Sequence, residues 1–114
     1  MESILATIKK MLGITADCTH FDNEIIVHIN TVCLTLSQIG VGPDIPVTIL
    51  GDADTWAGTF GDMRNIEAVK TYIYIKVRLL FDPPASSYVL ESLNRTATEL
   101  EWRLNVQTDN GEEE

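Results

Sequence analysis

Basic residues are scarce in this chain: 8 lysines and arginines stand against 17 aspartates and glutamates, for a formal charge of −9. So acidic a surface repels a phosphate backbone instead of releasing its counterions, which argues against a primary nucleic-acid-binding role. Cysteine is nearly absent. Cys18 and Cys33 are the only two, neither in a CxxC pair, so a disulfide framework is not expected and both read as free thiols. No run approaches the roughly 18 apolar residues of a membrane span, and Met1 to Leu12 scatters its apolar residues around Lys9 and Lys10. The expectation is a soluble, unexported protein. A phosphate-cradling loop is also missing, because Gly40 and Gly42 precede Pro43 and Gly58 and Gly61 flank Phe60, with no Walker-type lysine.

What is present suits one small domain: 114 residues, 45% of them hydrophobic, are enough to close a single core. Ile4, Leu5, Ile8, Met11 and Leu12 recur at helical spacing, with Ser3 placed to cap the start and Gly13 to end the segment. A second helix is expected over 22–39. Asp22 is its candidate N-cap, Phe21 and Ile26 are placed for a hydrophobic staple, and Gly40 follows the last turn. Its apolar stripe is Ile25, Ile29, Val32, Cys33, Leu36 and Ile39, which leaves Val27 and Leu34 on the opposite side.

Residues 41–62 are rich in Gly, Pro, Asp and Thr, and so long a connection in a small domain points to a working loop. Val47 to Leu50 has the composition of a short strand, and Trp56 with Phe60 at i,i+4 that of one anchored helical turn. From Met63 to Phe81 both strand and helix periods fit. Nineteen residues without Gly or Pro, closed by Pro83-Pro84, decide for a helix, apolar on most sides and buried at the centre. After it Ser86 or Ser87 caps a last helix whose seam is Leu90, Leu93, Ala97, Leu100 and Leu104, with Glu91, Arg95, Glu99 and Arg103 alternating in sign at steps of four. The expected fold is all-α, a bundle of about four helices over residues 1–106 with a long loop between the second and third that has room for a short strand or hairpin. Gln107 to Glu114 has almost nothing apolar to bury and reads as a flexible acidic tail.

No constellation carries chemistry. Cys18, His20, Asp22, Glu24 and His28 cluster in sequence, but the first two lie in a loop and a structural zinc site needs four well-placed ligands, so chance clustering is the better reading. Cys33 sits on a buried stripe with no nucleophile context. Asn94-Arg95-Thr96 is a glycosylation sequon by spelling alone, mid-helix in a chain read as unexported. No catalytic, metal-binding or cofactor-binding residue is assigned, and no cofactor is expected. Trp102 does need a partner: it projects about 170° from the leucine seam, toward the side of Tyr88 and Val106. It either packs on the first helix or loop of its own chain or meets another subunit.

The stretch Val69-Lys-Thr-Tyr-Ile-Tyr-Ile-Lys-Val-Arg-Leu-Leu-Phe-Asp-Pro-Pro84, followed by Leu100-Glu-Trp-Arg-Leu104, resembles the head-to-tail connector (adaptor) proteins of long-tailed phages and prophages of Gram-positive bacteria. The likeness spans roughly residues 3–106, from the first helix through the Trp56 loop to the last helix. It implies a helical, non-enzymatic virion subunit, assembled in the host cytoplasm, that forms a twelvefold homo-oligomeric ring beneath the portal protein. Such a ring extends the DNA channel and receives the stopper or tail-completion protein, and DNA passes without sequence-specific binding. On that reading Val27, Leu34, Tyr88, Trp102, Arg103 and Val106 are candidates for the subunit or portal interface. The loop acids Asp44, Asp52, Asp54 and Asp62 are candidates for the channel lining, where an acidic wall lets DNA slide. The alternatives are a small helical host interaction protein that forms no ring, and a DNA-packaging accessory subunit; the second needs a basic face that the interleaved charges do not supply.

Overall fold

The computed structural model describes residues 3–15, 17–41, 48–61 and 66–112, with side chains through 105. Five helices follow one another: α1 (Ile4–Leu12), α2 (Asp22–Gln38), α3 (Trp56–Phe60), α4 (Ile66–Phe81) and α5 (Ser87–Glu112). No strand occurs among the described residues; the nearest thing to one is an isolated antiparallel bridge between Ser3 and Thr55. The short strand expected from Val47 does not form over the described Thr48 to Leu50, and Val47 itself lies outside the described residues. Asn30 explains the difference. Its side-chain amide accepts from the Ile49 N–H at 2.7 Å and donates to the Ile49 carbonyl at 3.2 Å, supplying both bonds that a neighbouring strand would give.

α4 is the centre of the bundle, packed against α2, α5 and α1. It buries Val69, Tyr72, Ile73, Ile75 and Val77, an apolar surface spread too widely round the helix for a single partner. The directions follow from the contacts. Phe21 before α2 meets Phe81 at the end of α4, ring centroids 5.3 Å apart, so those two helices run antiparallel. The Pro83-Pro84 turn reverses the chain again, and the Asn105 side chain of α5 reaches the Ile39 carbonyl at the end of α2 at 3.1 Å. Leu80 belongs to the α4 stripe by spacing, yet it is exposed, while Phe81 beside it turns to Phe21 and His28.

The capping signals hold for α1, where the Ser3 hydroxyl accepts from the Ala6 N–H and Gly13 closes the helix at φ 84°. They hold for α5 as well, where the Ser86 hydroxyl accepts from the Val89 N–H. α2 departs from expectation. Its N-cap is Phe21, without a side-chain cap, and Asp22 has moved one place into the first turn. The staple register of Phe21 with Ile26 lapses with it. The cause is tertiary: Asp22 Oδ1 lies 2.8 Å from Lys9 Nζ, and that ammonium is almost fully buried. Inside the first turn the carboxylate still gains from the helix dipole.

Candidate functional site

The long loop is anchored into the core at four points, Val41, Ile49, Trp56 and Phe60, all buried. Trp56 opens the single turn α3, which Thr55 caps by accepting from the Gly58 N–H at 3.0 Å. Its indole stacks on Phe60 at 5.9 Å and donates to the Thr7 hydroxyl at 3.0 Å, while the Lys70 ammonium stands 5.5 Å from the ring centroid. The Ile4 N–H donates to the Asp54 carbonyl at 3.0 Å, so the loop also satisfies a backbone donor at the start of α1.

Four of the six interface candidates stand in solvent: Val27 is 60% exposed, Leu34 48%, Tyr88 82% and Trp102 67%. Trp102 therefore does not pack on its own chain. Arg103 is exposed and paired with Glu99 at 2.7 Å, the sequel to the Glu91–Arg95 pair at 3.2 Å. Val106 lies outside the described side chains. Leu50, which the sequence placed with the loop's strand, is 85% exposed. The Asn30 bonds to Ile49 hold this segment along the flank of α2, so Ile49 enters the core and Leu50 stands outside it.

The loop acids divide. Asp44 and Asp62 lie outside the described residues. Asp52 is exposed, and among the described residues no hydrogen bond or ion pair fixes its carboxylate. Asp54 is half-buried, and its Oδ2 accepts the Leu50 N–H at 2.7 Å and the Gly51 N–H at 3.3 Å. Asp54 is thus a structural member of the loop, because a carboxylate that satisfies two backbone donors is held by them.

The residues that invite a chemical reading have structural occupations. The Cys18 carbonyl accepts from Lys9 Nζ at 2.7 Å, His20 packs edge-on against Phe21, and His28 lies 3.6 Å from Glu24 one helical turn away. Cys33 is buried, and desolvation pushes its thiol up to about 12, so it stays protonated and a poor nucleophile at neutral pH. Tyr72 is completely buried and donates to Glu101 at 2.9 Å; burial, then the Glu101 bond and charge, raise its pKa well above the ordinary phenol value. This pair ties α4 to α5. No described helix is long and apolar enough to cross a membrane.

The surface that remains for function is therefore apolar side chains on α2, the loop and α5, outside a core already complete without them. Comparison with known proteins agrees with a structural role. Residues 4–111 match the family described as phage connector protein. No curated protein and no solved structure matches the chain. A match over nearly the whole helical domain settles membership, and the protein belongs to the phage connector protein family, a structural component of the phage virion.

Proposed function

We propose that the chain is the subunit of a closed ring, twelvefold in the assembled particle, that docks beneath the portal protein. There it extends the DNA channel and receives the stopper or tail-completion protein. One observation carries this reading: Val27, Leu34, Leu50, Tyr88 and Trp102 are large, apolar and about half or more exposed on a chain whose core is closed without them. In a monomer such surface is a liability; in a ring each side chain has a place to go. Arg103 and Val106 extend the same α5 side. The acidic segment from Gln107 onward, helical to Glu112, offers little to bury and is assigned to the periphery of the subunit.

Purified protein mixed with portal is expected to give a stacked ring visible by electron microscopy and a matching mass by light scattering. Free chains that never bind portal at any ratio tested would remove the proposal.

Within the ring, Asp52 is assigned to the wall of the DNA path, because it is exposed and its neighbour Asp54 fixes the loop that presents it. Screening at physiological salt restricts such an effect to charges within about 8 Å of the DNA, so a single lining residue matters more than the net charge of the chain. Asp52→Lys should leave folding within about 0.5 kcal/mol of wild type and slow DNA ejection at low salt. Equal ejection kinetics at every ionic strength, in fully assembled particles, would place Asp52 away from the DNA. Asp54 is unsuited to this test, since its replacement breaks the loop turn.

A further inference from the structure

α5 is the longest helix and the most thinly attached. Of its described side chains only Ala97 and Leu104 are buried, with Leu93 and Leu100 partly covered, whereas α1 buries four of its nine residues. α4 is the helix it packs on. The other elements are tied across one another. Lys9 of α1 holds Asp22 and the Cys18 carbonyl, Trp56 and Asp54 of the loop bond to Thr7 and Ile4, and Asn30 of α2 holds Ile49. Among the described residues α5 has two such ties: Tyr72 to Glu101 at 2.9 Å, and, at an exposed edge, Asn105 to the Ile39 carbonyl at 3.1 Å. The connection from α4 is as bare. Pro83 and Pro84 have no N–H to donate, and no hydrogen bond joins Pro83, Pro84 or Ala85 to the other described residues.

We propose that α5 is a releasable strap: it swings off α4 as a unit about Ala85 and Ser86 while α1 to α4 and the loop stay folded, and the Tyr72–Glu101 bond is its latch. The ties that hold the rest together, including the Phe21–Phe81 contact between α2 and α4, do not run through α5 and survive its departure. What departure uncovers is one side of α4. Tyr72, Ile75 and Leu79 lie within about 60° of one another around that helix, and the Glu101 contact sets α5 over them. Burial of this side and one hydrogen bond to a charged acceptor oppose release, so the open form is a minor population; openings short of global unfolding begin with the least-tied element of a fold. Tyr72 couples the two states. Its side chain is fully buried while α5 is docked, and its hydroxyl then has Glu101 as partner. The strap thus gives the subunit a second conformation, with an apolar side of α4 accessible, that is reached without unfolding the remainder and does not depend on ring assembly.

Native-state hydrogen exchange of the dilute full chain in rising, sub-denaturing urea tests the strap. Amides from Leu93 to Leu104 are expected to exchange at least about 100-fold faster than the slowest amides of α2 and α4, through one shared opening. Its urea dependence should be weaker than that of global unfolding, because it exposes less surface. A single free energy and a single slope for α2, α4 and α5 would overturn the proposal. Lys9→Met provides the second measurement, since it weakens the union of α1 with α2, which stays intact when α5 opens. Protection in α2 should fall about 100-fold while protection in α5 stays within about threefold of wild type; a fall in α5 that keeps step with α2 overturns the strap. Tyr72→Phe removes the latch hydroxyl and little else. It should speed α5 exchange about 10-fold and lower α2 protection by the same factor, because global unfolding also breaks this bond. Unchanged α5 exchange in Tyr72→Phe would show that this bond is no latch.

Discussion

Trp56→Ala is expected to cost about 3–5 kcal/mol of stability, the range for truncating a large buried aromatic. The indole is 4% exposed, stacks on Phe60 and donates to Thr7, whose hydroxyl in turn donates to the Ser3 carbonyl at 2.7 Å. Removing it opens a cavity beneath the loop and cuts the chain of bonds that joins α3 to the start of α1. Trp56→Phe keeps most of the packing and loses the N–H. Thr7 then still has Ser3 as a partner, so the expected cost falls to about 1–2 kcal/mol. Urea unfolding of the three proteins measures both. A Trp56→Ala protein within 1 kcal/mol of wild type would mean that the loop is not held by this side chain.

The main helices are legible in the sequence because each carries a stripe at helical spacing and most carry a usable end signal: Ser3 and Gly13 for α1, Gly40 after α2, the double proline after α4, Ser86 before α5. Even the single turn at Trp56 and Phe60 shows in their spacing. Misreadings occur where a distant side chain decides a local question. Asp22 has every local attribute of an N-cap, but Lys9 captures it from the preceding helix. Thr48 to Leu50 has strand composition, but Asn30 supplies its bonds and leaves Leu50 outside, which hid a surface residue inside an apparently apolar run. Asp54 reads as a free acid until the Leu50 and Gly51 N–H groups are seen on its carboxylate. The exposed residues of α2 and α5 were legible for the opposite reason: only the phase of one helix is needed to see that Val27, Leu34, Tyr88 and Trp102 face away from its stripe.

Lys9 is the second site where a single substitution is expected to do large damage, and composition gave no warning of it. Lysines are almost never buried unless paired, yet this one is 4% exposed, donating to the Cys18 carbonyl at 2.7 Å and lying 2.8 Å from Asp22 Oδ1. The approach to Asp22 is poorly aligned for a hydrogen bond, so that contact acts through charge. Lys9→Met keeps the length and apolar stem of the side chain but leaves a carboxylate at 20% exposure and a backbone carbonyl without their cation. Breaking a buried pair from one side costs about 3–5 kcal/mol when burial is complete; the residual exposure of Asp22 and its place in the first turn of α2 set the expectation near about 3 kcal/mol. Removing both charges is a different experiment, because the desolvation that the pair imposed disappears with them. Lys9→Met with Asp22→Asn should therefore recover most of the loss. Salt distinguishes this pair from those on α5: Glu91–Arg95 and Glu99–Arg103 are exposed and worth a few tenths of a kcal/mol that screening removes, whereas the Lys9 deficit should persist in 0.5 M salt. Thermal melts of the single and double variants at low and high salt give the answer, and a Lys9→Met protein as stable as wild type would show that water reaches Asp22 and Cys18 as readily as the ammonium does.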